Sequence, residues 1–322
     1  MQDKQNFVIL EVKRWSELYP ILALVNGILL AIMVSINGEL SKQYGVFSAS
    51  VLIHIAGTAS ASLCLLKKGK KPLWTQHPKW SYLGGAIGVC TTVFQCIAAE
   101  SMSITSVVAL GLLGQTAASL FIDKLGLLGM KKRPFPQSAL ISLCLSVLGI
   151  FMMLDDENAV VAIGIACAAG ISVVLSRTIN AYLAEKTGAL QGALINHLIG
   201  LPITILLAAA TVKWSDLVQR APLSGTSQPW IYFGGVLGVG VVMLFNIIVP
   251  KLSSFLLTSL VFIAQIFTGI ILDSMQGLSC SDASLYGGLV IAFGVVVYMA
   301  ADRINPCKRT KASGKCGRNK TD

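Results

Sequence analysis

Residues 36–57, INGELSKQYGVFSASVLIHIAG, return at 179–200 as INAYLAEKTGALQGALINHLIG. At an offset of 143, Ile36, Asn37, Leu40, Gly45, His54 and Gly57 meet Ile179, Asn180, Leu183, Gly188, His197 and Gly200. Downstream the offset is 150. WSYLGGAIGV (80–89) meets WIYFGGVLGV (230–239) with six of ten positions identical, and Leu110, Gln115 and Asp123 meet Leu260, Gln265 and Asp273. A duplicated apolar unit that carries the same polar residues inside its apolar runs is the sequence mark of a membrane protein built from two halves around a passage.

Only 12% of the residues are charged and 54% are hydrophobic, against about 25% charged in soluble domains. Ten apolar stretches reach the length of about 20 residues that a helix needs to cross the bilayer core: roughly 20–37, 47–66, 81–99, 103–121, 137–154, 159–178, 189–212, 230–250, 253–272 and 285–301. Without water to satisfy the backbone these runs must be helices, and they are too long and uniformly apolar for barrel strands. The net charge of +10 suggests nucleic acid until its distribution is read. With an inside N-terminus and alternating spans, 22 Lys and Arg residues fall inside and only Lys42, Lys213 and Arg220 outside. This is the positive-inside bias of a membrane protein with both ends in the cytoplasm, and it excludes a nucleic-acid partner as the origin of the charge.

The expected fold is therefore an all-α integral membrane protein of ten transmembrane helices, arranged as two inverted five-helix repeats with both termini cytoplasmic. An odd number of spans per copy inserts the second copy upside down, related to the first by a two-fold axis in the membrane plane. The divisions are a cytoplasmic N-terminal segment 1–19, a first repeat 20–154, a second repeat 159–301 and a basic, disordered tail 303–322. Residues 1–19 lack the apolar core and cleavage site of a signal peptide. They read equally as an interfacial amphipathic helix or a loose tail. Five cysteines (Cys64, Cys90, Cys96, Cys144, Cys167) fall in spans, Cys280 has no same-side partner, and Cys307 and Cys316 lie in the reducing cytoplasm; no disulfide framework follows.

Polar groups in hydrocarbon need a reason, either function or adhesion between helices. Gln115 and Gln265, each in the fourth helix of its half, offer an acceptor and two donors to a polar solute. Asn26, Gln95 and Asn246 are further candidates for a cavity wall. His54 and His197 fall at mirror depths and suit proton coupling or gating. For each, an interhelical hydrogen bond is the alternative. Asn37 and Asn180 fall near expected helix ends, where capping accounts for them. Asp123 and Asp273 close their helices, and Arg177 sits near an inner end, able to reach water or Glu185. Gly84, Gly85 and Gly88, with their copies Gly234, Gly235 and Gly238, form a small-residue face for close helix packing. No phosphate-binding loop, nucleophile motif or clustered metal set is present, so no cofactor, metal or enzymatic reaction is expected.

The Gly-Gly-x-x-Gly at a span start, LLGQTAASLFIDKLGLLGM (112–130) and its echo VFIAQIFTGIILD (261–273) together resemble the YdcZ-like branch of the drug/metabolite transporter superfamily. The resemblance spans nearly all of 20–301. It implies a bacterial inner-membrane carrier exporting small metabolites or toxic compounds. The second copy departs after Asp273, so only its Gln and Asp carry over. The superfamily's smallest exporters use a carboxylate within the first span, which 20–37 lacks. The expected function is secondary active export of a small organic solute by alternating access, with lipid and the solute as partners and the proton as candidate coupling ion. Pairing of two copies as a homodimer stays open. The competing readings are a lipid-modifying membrane enzyme and a non-transporting scaffold.

Overall fold

The structure is a computed structural model and describes residues 2–66, 78–101, 104–132, 137–153, 160–212, 228–275 and 282–304. Every regular element among them is helical: α1 (Gln2–Tyr44), α2 (Val46–Leu66), α3 (Leu83–Ser101), α4 (Ile104–Leu125), α5 (Gln137–Met153), α6 (Val160–Thr187), α7 (Ala189–Thr211), α8 (Gly234–Ile248), α9 (Ser254–Met275) and α10 (Asp282–Ile304). Short 3-10 turns, Lys79–Tyr82 and Pro229–Phe233, lead into α3 and α8. Seven helices are long and apolar enough to cross a membrane by length and composition, while α5 and α10 carry shorter apolar stretches. The tail from 305 on, Cys280 and most of the basic loop 67–80 lie outside the described residues.

Two expected boundaries move. The segment 1–19 joins the first span without a break, because α1 runs from Gln2 through Pro20, while the apolar span itself starts at Leu18. The first and sixth helices also continue past 37 and 178, to Tyr44 and Thr187. Each stops at a single glycine, Gly45 (φ 79°) and Gly188 (φ 102°), before the next helix begins. Only glycine takes that backbone cheaply, and a side chain on Gly188 would meet nothing, so its backbone alone sets the requirement.

The two copies interlock. α3 packs on α6 and α7 as α8 packs on α1 and α2; α4 lies on α6 as α9 lies on α1. α2 meets α7, α4 meets α9 and α5 meets α10. The contacts repeat residue by residue. Gly57 abuts the His197 ring and Gly200 abuts His54. Gly84 abuts Asn180 and Gly234 abuts Asn37; Gly85 meets the Asn196 carbonyl and Gly235 that of Ile53. Gly170 meets the Gly111 carbonyl and Gly27 that of Val261. When residue i touches j and their equivalents touch reciprocally, a two-fold axis relates the halves. Lipid offers helices no hydrophobic drive to associate, so close approach over small residues supplies the packing instead. Phe262, Leu110, Leu112 and Leu257 are fully enclosed at the α4–α9 centre. Phe121, Phe151, Leu206 and Phe293 point outward from the bundle, as acyl chains require.

Candidate functional site

A narrow pocket sits beside the two-fold axis; its cavity volume is about 10 Å³, space for about one water in this conformation. Its walls come from α1, α3, α4, α6 and α9, with Val34, Val108, Ala169 and Gly170 between three glutamines: Gln95, Gln115 and Gln265. α8, expected as a wall, contributes none. Gln115 and Gln265 are buried, and the Oε1 of each has no hydrogen-bond partner. Gly111, Ala169 and Gly170 complete the lining, with Gly170 packed against the Gly111 carbonyl.

The other two candidate cavity residues stand outside it. Asn246 donates from Nδ2 to the Ala189 carbonyl at 2.9 Å, fastening α8 to the start of α7. Asn26 is fully buried and neither of its amide atoms has a partner. Asn37 and Asn180 are not caps, because their helices continue for about two further turns. Both are buried; Asn180 donates to Asn196 Oδ1 at 2.7 Å and to Ser176 Oγ at 3.3 Å, and Ser176 in turn donates to the Gly84 carbonyl at 2.8 Å.

His54 and His197 meet. Their ring centroids are 5.5 Å apart in an edge-on arrangement at 66°. His54 Nδ1 donates to the Ser50 carbonyl at 2.8 Å, because a carbonyl oxygen can only accept. Neither nitrogen of His197 has a partner. Gly57, Gly200 and Gly238 make room for the two rings.

The residue that sequence reasoning misplaced is Arg177. It neither reaches water nor pairs with Glu185, which is exposed. It is buried between α4, α6 and α9. Its Nη2 donates to Thr258 Oγ1 at 2.5 Å and Ser119 Oγ at 3.3 Å, with longer contacts to Ser254, and its guanidinium carbon lies 5.5 Å from the Phe245 ring centroid. A signal was present, since the equivalent position in the first copy is Val34, deep in an apolar run. Asp123 also lies inside its helix and buried. Its two oxygens accept the backbone N–H groups of Ser254 and Phe255 at 3.0 and 2.9 Å. It thus satisfies two of the orphan donors at the α9 N-terminus from another helix. Among the described residues no group of three or more His, Cys, Asp or Glu side chains could hold a metal.

Apolar helices from two copies, interlocked about a two-fold axis with an amide-lined pocket beside it, define a multi-pass membrane transport protein. The chain belongs to the DMT YdcZ family, described as "Putative inner membrane exporter, YdcZ", whose model matches it in two segments, 18–152 and 161–299, one per copy. It is accordingly a multi-pass protein of the bacterial inner membrane. No curated protein matches it. A solved structure titled only "Crystal structure of protein" is similar over 91% of this chain and 99% of its own, with TM-score 0.62 and 18% identity, and so shares the fold.

Proposed function

We propose that the protein is a secondary carrier that exports a small organic solute by alternating access, with the solute held between Gln115 and Gln265. The observation that carries this reading is the pair of two-fold-related glutamines lining one pocket, each with an unpartnered buried oxygen. An unsatisfied amide oxygen in hydrocarbon costs free energy that a solute donor recovers. Gln95 widens the recognition to a third amide. The ten helices cross as two inverted repeats with both ends cytoplasmic, an arrangement supported by the reciprocal contacts and by the inside excess of Lys and Arg. The test is uptake and efflux of a metabolite panel in proteoliposomes. Gln115→Ala and Gln265→Ala are each expected to lower transport about tenfold, the scale of one or two lost hydrogen bonds. Transport unchanged in the double variant would falsify the site.

The histidine pair is proposed as the coupling or gating element. It lies where α2 and α7 cross, so motion of one copy against the other must move the rings past each other. Replacing both with Gln is expected to remove the pH dependence of transport; a retained pH profile would refute the role.

A further inference from the structure

Turning the pocket about the two-fold axis lands on polar residues. By the offsets of 143 and 150, Val34 maps to Arg177, Gln95 to Phe245, Val108 to Thr258 and Ala169 to Asn26, while Gln115 and Gln265 exchange. Three of these counterparts form one cluster, since Arg177 donates to Thr258 and lies over Phe245. The pocket is open on one side of the axis, and its counterpart is shut around Arg177 on the other.

The shut side is poorly satisfied. Arg177 is 4% exposed, and all its hydrogen bonds leave from Nη2; Nε and Nη1 have none. Both amide atoms of Asn26 are unpartnered as well. A guanidinium is always charged and carries five donors. Burying it with donors unused is costly, and fastening three helices together accounts for Nη2 alone. Asp123 is close enough to act on Arg177 electrostatically, and two hydrogen bonds of its carboxylate go to the α9 backbone. It lends counter-charge without occupying the free N–H groups. The first copy holds α1 in the equivalent place with Val34, so packing alone does not demand a cation there.

In a two-fold carrier, closing the pocket on one side opens its counterpart on the other. We infer that this counterpart is a binding half-site for an anionic group, and that the cargo is a small organic anion, a carboxylate or phosphate monoester. Arg177 meets its charge with Nε and Nη1, and Asn26 and the two glutamines meet its polar remainder. This assignment rests on the carrier reading above. With both ends cytoplasmic, the Arg177 side faces the cytoplasm, so the anion loads there and leaves through the glutamine pocket.

The test uses full-length protein in proteoliposomes, incubated with a deproteinised bacterial extract, with solutes taken up identified by mass spectrometry. The wild type is expected to take up a set of anions. Arg177→Gln should lose that set by about tenfold or more, as removal of a charge-assisted contact does. Arg177→Lys should keep a measurable part, and Asn26→Ala should lower anion uptake while the protein stays monodisperse. The identified anion then separates carboxylate from phosphate cargo. Uptake of only neutral or cationic solutes, unchanged in Arg177→Gln, overturns the anion site and leaves the carrier standing. No uptake beyond empty liposomes overturns both. Should Arg177→Gln aggregate, the wild type is offered its anion against the corresponding methyl ester, and equal uptake of the two overturns the inference.

Discussion

Asp123 is one carboxylate doing the work of a helix cap from a neighbouring element. Its two oxygens take the first two N–H groups of α9, and Ser253 Oγ accepts from Leu256 N at 3.2 Å beside them. Asp123→Ala leaves two backbone donors buried without acceptors, at about 1–3 kcal/mol each. A fall in the midpoint of thermal unfolding in detergent is the expected result; an unchanged midpoint would show that water replaces the carboxylate. Asn26→Ala runs the other way. It deletes an amide with no protein partner, so stability is expected to hold or rise by up to about 1 kcal/mol. At this scale the sequence was legible in part. The echo at Gln115 and Gln265 pointed to the pocket because both are polar in apolar runs and both lie near the axis. Asn37 and Asn180 were misread as caps because hydropathy falls at Asn37-Gly38-Glu39 and at Arg177-Thr178 while the helices carry on. Arg177 was misread for the same reason, since a span ending at 178 puts it at the surface and a helix ending at Thr187 puts it inside.

Single glycines set how these helices meet. Gly84 and Gly234 each receive an asparagine side chain, and Gly85 and Gly235 each receive a backbone carbonyl. A Cβ at any of the four strikes its neighbour, so Gly84→Val or Gly234→Val is expected to cut the monodisperse yield severely. By contrast, Gly164 and Gly240 face open space, and alanine there is expected to be neutral by the same measurement. Gly188→Ala is a third case. Nothing crowds it, but its φ of 102° disfavours a side chain by about 1–3 kcal/mol. The glycine repeat was visible in the sequence because small residues recur at one spacing. Which helix each glycine touches was not visible, because partner choice depends on how the copies interlock and no local pattern encodes that.

For the whole molecule, the charge distribution and the two-fold contacts together predict that a fluorescent reporter fused at either end matures inside the cell, while one placed between α7 and α8 does not. Fluorescence from that linker would reverse the topology. The duplication made the two-fold relation readable, because the same residues recur at fixed offsets. The extent of interleaving was not. Each helix of the first copy has its principal neighbour in the second: α1 has α9, α2 has α7, α3 has α6, α4 has α6 and α9, and α5 has α10. A ribosome that has released only the first five helices has therefore made segments whose proper neighbours do not yet exist. Those segments must wait in the bilayer, loosely gathered, until synthesis of the remainder supplies a surface to settle against. Encoding the halves on separate messages should consequently yield stable protein only when both are translated in one cell, with either half alone degraded.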